Sequence, residues 1–129
     1  MNDRTVTVEI PLRLGRGGND RMHWRTKYRQ KQAEQTAVTM FLRGTPPTPP
    51  LTVTLTRIAP GNGLDPFDNL PASLKATVDA VASWLGVDDK DQRVQYRCKQ
   101  ERGAWGLRIE IEPAMSAPNK TNPNKEVNS

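Results

Sequence analysis

From Arg4 to Leu12 the chain reads RTVTVEIPL, with Val6, Val8 and Ile10 falling on one face. That period of two predicts a first strand. A Gly/Arg-rich loop, RLGRGGNDRMHWR, follows it. From about Thr26 to Leu42 the pattern changes: Gln, Lys, Ala and Glu predominate, and Ala33, Ala37, Val38, Phe41 and Leu42 recur at helical spacing. A first helix is expected there, stopping at Gly44 ahead of TPPTPP, whose prolines form a stiff extended connector. LTVTLTRI (51–58) sets Leu51, Val53 and Leu55 against threonines, a second strand with one polar face. APGNGL is a turn or loop.

Leu70, Leu74, Val78, Val81 and Leu85 then recur every three or four residues, which predicts one helix with one buried stripe. Asn69 is its expected cap, Pro71 falls in the permissive first turn and Gly86 is the stop. RVQYRCKQ and AWGLRIEIE read as two strands joined by a turn around ERG, a hairpin. The order β-α-β-α-β-β specifies a single small α+β domain, a mixed sheet with helices packed on it. Its expected span is residues 1–112. From 113 to 129, PAMSAPNKTNPNKEVNS has no apolar period and three prolines, so a disordered tail is expected there.

Composition narrows the chemistry. At 129 residues and 35% hydrophobic, the chain has room for one modest core. Its apolar runs are too short to cross a membrane as a helix, and the first residues carry charges and threonines where a signal peptide needs a continuous apolar stretch. One cysteine, Cys98, and one histidine, His23, can form neither an intrachain disulfide nor a zinc site, and a reducing cytoplasm is the expected compartment. The Gly-rich loop lacks the Gly-Lys-Ser/Thr ending of a phosphate-binding P-loop.

The net charge of +5 is unevenly spread. Residues 1–45 hold nine Lys/Arg against four Asp/Glu, residues 46–91 three against six, and residues 92–129 seven against four. An acidic centre between basic flanks suits a polyanion gripped outside and met by carboxylates within. The acids are Asp65 and Asp68 before the second helix, Asp79 on it, and Asp88, Asp89 and Asp91 after it. Two readings are open. Aspartates beside Gly, Asn and Pro are turn formers. Alternatively, if the chain leaving Gly86 turns back, Asp89 approaches the first pair, and carboxylates without histidine or cysteine make a hard oxygen site for Mg²⁺ or Mn²⁺. Lys75, four residues before Asp79, either pairs with it on the surface or neutralises charge on a phosphate.

The stretch LDPFDNLPASLKATVDAVASWLGVDD resembles the signature of the RusA family of Holliday-junction resolvases, metal-dependent endonucleases. Asp68-Asn69-Leu70 matches its first element, Lys75 with Asp79 its second, and Asp88-Asp89 its third. GGNDRMHWRTKYRQK resembles the family's basic segment, and the likeness covers roughly residues 4 to 112. It implies that Asp65, Asp68 and Asp89 hold Mg²⁺, with Mn²⁺ as a substitute, and that Lys75 is the catalytic lysine. Two departures stand out: Pro66-Phe67 separates the aspartate pair where the prototype has one residue, and three extra residues lie between Asn69 and Lys75. Asp91 is a substitute ligand, and Asp88 stands behind the ligands.

The resemblance also implies a homodimer that nicks four-way DNA junctions in recombination, replication, repair or phage DNA processing, in a bacterial cytoplasm. Arg16, Arg21, Arg25, Lys27, Arg29 and Lys31 supply the expected DNA-binding surface, with Arg25/Arg29 and Lys27/Lys31 one helical turn apart. His23 and Trp24 either stack on an exposed base or pack against the domain. Two rivals remain: a non-catalytic DNA-binding protein of the same fold, and a small protein-binding adaptor.

Overall fold

The structure, a computed structural model, describes residues 5–14 and 24–114. It contains β1 (Val6–Ile10), α1 (Trp24–Phe41), β2 (Leu51–Ala59), α2 (Asn69–Ser73), α3 (Lys75–Leu85), β3 (Val94–Arg102) and β4 (Gly106–Pro113). The expected α+β architecture is present: one mixed sheet in the order β1-β4-β2-β3, with β3 parallel to β2 and the other pairings antiparallel. No helix among the described residues is long and apolar enough to cross a membrane.

The alternation read from the sequence decides which face carries the core. Val53 lies opposite Ile111, and Leu55 opposite Ile109, so these side chains share one face of the sheet. All four are fully buried, with Val38 and Leu42 from the α1 region and Leu70, Leu74, Val81 and Leu85 from the second helical region packed among them. α1 lies against α3. On the other face the threonines of β2 stand among charged neighbours. Thr56 is nevertheless 1% exposed; Arg108 beside it spans to Glu9 at 2.9 Å and Glu101 at 2.7 Å.

Several expectations are corrected. The last two strands are not a hairpin. β2 lies between them, and Gly103–Trp105 steps over its end, where Gly103 N–H donates to Ala59 O at 3.0 Å. Leu107, Ile109 and Ile111 are all fully buried, which suits a central strand, whereas Gln95, Arg97, Lys99 and Glu101 of β3 line a polar face at an edge. The second helix is broken at Leu74 (φ −101°, ψ 2°). The Ser73 hydroxyl bonds the Leu70 carbonyl at 2.8 Å, and the Leu74 N–H, which the regular ladder would send to that carbonyl, goes to Pro71 O at 3.2 Å. The cap position falls on Asp68 rather than Asn69. Finally, α1 buries Glu34 and Val38, while Ala33 and Phe41 are exposed. β4 runs one residue past the expected boundary, with Pro113 opposite Leu51. Residues 115–129, the rest of the expected tail, lie outside the described residues.

Candidate functional site

The aspartates fall into two groups. Asp65 and Asp68 occupy the loop entering α2. The Asp65 carboxylate accepts the Phe67 N–H at 3.3 Å, and the Asp65 carbonyl accepts Leu70 N–H at 2.8 Å. Both aspartates are exposed, and the Asp68 side chain makes no capping bond. The loop is held from β3. Gln100 accepts the Leu64 N–H and donates to the Leu64 carbonyl, each at 2.8 Å, 36 residues away in sequence.

The second group forms where the chain reverses. Gly86, in the left-handed region (φ 76°, ψ 29°), closes α3: its N–H donates to Ser83 O at 3.1 Å and Val87 N–H to Ala82 O at 3.0 Å. This is a Schellman closure, which turns the chain back. Asp89 thereby meets Lys75 at 2.6 Å, and Asp79 holds the same ammonium at 3.0 Å. These two contacts raise the Lys75 pKa, the Asp89 hydrogen bond contributing most and the Asp79 hydrogen bond next. Asp89 in turn lies below its ordinary value, through its hydrogen bond to Lys75 and then that to Asp88. The reversal therefore takes Asp89 away from the C-terminal end of α3, where the helix dipole disfavours a carboxylate, to a lysine in its first turn.

Asp88 and Asp91 behave as turn formers. Asp88 accepts Lys90 N–H at 2.8 Å and Asp91 accepts Arg93 N–H at 2.9 Å. The Arg93 guanidinium also pairs with Asp91 at 2.8 Å and, with that backbone bond, depresses its pKa to about 2. Beside them stands Tyr96, whose hydroxyl is buried with no hydrogen-bond partner among the described residues. Burial, and then the charges of Asp89, Asp79 and Asp91, push its phenol up to about 12.

The expected ligand trio thus has two separate anchors. Asp89 is engaged by Lys75, while the loop bearing Asp65 and Asp68 is anchored at Gln100. Gln100 lies four residues beyond Tyr96, about 13 Å along a strand. Among the described residues no group of three or more His, Cys, Asp or Glu side chains is placed to hold a metal ion. The donors are hard oxygens, which suit Mg²⁺ in chemistry. The lysine meets Asp79, the surface pair that a spacing of four allows, and it meets Asp89 too, which the sequence did not announce.

The expected DNA surface is described in part. Arg25, Lys27, Arg29 and Lys31 lie on the first two turns of α1, whereas Arg16, Arg21 and His23 lie outside the described residues. The sequence reading missed Tyr96 and Gln100. Its own alternation held the signal: Val94, Tyr96, Cys98 and Gln100 share the inward side of β3, and an inward glutamine needs partners. Comparisons with protein-family models and with curated proteins return no match, so the case for this site is its own geometry.

Proposed function

We propose that the protein is a Mg²⁺-dependent, structure-selective endodeoxyribonuclease that cuts four-way or otherwise branched DNA, as a cytoplasmic homodimer. The observation that carries this reading is the meeting of Lys75 with Asp89, 14 residues apart in sequence, at 2.6 Å. Both belong to the signature that resembles the RusA resolvases, and neither is needed by the core. The Lys75 side chain is 49% exposed and held as a cation, so a phosphodiester can approach it directly. Arg25, Lys27, Arg29 and Lys31 would grip phosphates without reading sequence.

A second reading has its own support. With Asp89 and Asp79 balanced by Lys75, and no group of three acids among the described residues placed to hold a metal ion, the same chain suits a DNA-binding protein without catalysis. One experiment separates the two: a synthetic four-way junction incubated with wild type and Asp68→Asn, with and without Mg²⁺. Paired nicks by wild type in Mg²⁺, with binding but no nicking by the variant, support the nuclease. Salt-sensitive junction binding with no nicks in Mg²⁺ or Mn²⁺ supports the non-catalytic protein.

A further inference from the structure

The first two turns of α1 read WRTKYRQK, residues 24–31, and hold four cations, two aromatic rings and no acid. Trp24 is 66% exposed and Tyr28 58% exposed. Four residues apart, they stand on one side of the helix, about 6 Å apart along its axis. Gln32 donates to the Tyr28 hydroxyl at 3.0 Å, and the Arg25 guanidinium lies 5.3 Å from the centre of the Trp24 ring. The pair leads away from the core, which α1 meets through Glu34 and Val38 further along.

Cations alone would suffice to hold a duplex by its phosphates, because the base faces are stacked inside it. Rings presented between cations add to that grip where base faces are open to stack on them. No aliphatic residue accompanies them over residues 24–31, so the stretch has little apolar area to bury in a lipid surface. We infer that the amino-terminal half of α1 is a platform for unpaired nucleotides: Trp24 and Tyr28 stack on successive bases while Arg25, Lys27, Arg29 and Lys31 hold the phosphates. On the nuclease reading this platform would receive the strand that opens at a branch point. The platform itself needs neither metal nor cleavage.

The test measures binding of a short labelled oligo-thymidine and of a blunt duplex of equal length, in EDTA across a salt series. Wild type is expected to prefer the single strand, with log K falling with log salt at a slope of about −3 if all four cations contact phosphates. Trp24→Ala/Tyr28→Ala should lose at least about 30-fold in single-strand affinity and less than about twofold for duplex. Trp24→Phe/Tyr28→Phe should retain most of it, and unchanged thermal melting would show that the fold is intact. Equal losses for both DNAs, or no single-strand preference in wild type, would overturn the platform. If junctions are still nicked in Mg²⁺ in that case, the nuclease reading survives alone; single-strand binding without any nicking leaves the platform standing and removes the nuclease.

Discussion

The contact between Gln100 and Leu64 supports a quantitative prediction, because a glycine beside it makes the contact separable. Both polar atoms of the Gln100 amide are used, each at 2.8 Å, on the backbone of Leu64. At about 0.5–1.5 kcal/mol net per hydrogen bond, Gln100→Ala should cost about 1–3 kcal/mol. In a domain of this size that is roughly 4 °C of melting temperature per kcal/mol. Gly63 stands against the same amide: a methyl group there would lie 2.6 Å from Gln100 Oε1 and 2.8 Å from Cδ. That amide ends a flexible side chain, so it would swing away rather than force the backbone apart, and both bonds to Leu64 would be lost.

Gly63→Ala should therefore cost about as much as Gln100→Ala, for the same reason. In the Gln100→Ala background the obstruction is gone. Gly63 does not occupy the left-handed region, so the added methyl is then neutral, or stabilising by about 0.4–1 kcal/mol through the unfolded chain. The double variant should be no less stable than Gln100→Ala alone, a coupling of about 1–3 kcal/mol in a urea-denaturation cycle. Additive losses would refute the clamp. On the nuclease reading, both single variants should also slow junction cleavage more than they weaken junction binding, since they release the segment leading into Asp65 and Asp68.

Three further outcomes are expected. Asp91, depressed to about 2 by Arg93, contributes stability that is fully present above its ordinary value near 4 and is lost as pH falls toward 2; Asp91→Asn, which keeps an acceptor for Arg93 N–H but loses the charge, should lower the denaturation midpoint modestly at neutral pH, leave it nearly unchanged near pH 2, and so flatten its fall across that acid window. Tyr96, raised to about 12, favours the folded state below pH 10 and loses that contribution as pH climbs through 12; its phenolate absorbance should appear only near that upper limit, and Tyr96→Phe, which deletes a buried hydroxyl without a partner, should leave the melting temperature unchanged or raise it. Phe67 is 91% exposed, so Phe67→Ala should shift stability by less than about 0.5 kcal/mol in urea denaturation.

Patterns with a local cause were legible in the sequence. Leu51, Val53 and Leu55 announced a strand and its inward face, and Gly86 announced the end of a helix, because alternation and a left-handed residue act within a few positions. What the sequence hid depends on neighbours far along the chain. The turn at ERG looks the same whether β4 pairs with β3 or steps past β2, and only the burial of Leu107, Ile109 and Ile111 between two partners decides it. The stripe from Leu70 to Leu85 survives the break at Leu74, since that residue stays buried while the Ser73 hydroxyl takes the Leu70 carbonyl and the Leu74 N–H turns to Pro71 O. Glu34, an acid on the buried side of α1, contradicts any reading from hydrophobicity alone.

The candidate site divides along the same line. Its turn half was predictable: Asp65, Asp88 and Asp91 each spend a carboxylate oxygen on a backbone N–H two residues ahead, the ordinary use of aspartate in turns. Its charged half needed the reversal at Gly86, which returns Asp89 along an α3 about 16 Å long to a lysine at that helix's other end. Lys75 is already the cation of that half, with two carboxylates on one ammonium. Any divalent ion that took Asp89 as a ligand would have to displace the lysine from it or accept a positive neighbour within a few ångströms, which disfavours binding unless a second anion arrives. A DNA phosphate is such an anion. On the nuclease reading, then, tight ion binding should require DNA: Mn²⁺ titrated into the free protein should bind weakly and more tightly to Lys75→Met, whereas strong binding to the free wild type would show that Lys75 does not hold the place of the ion.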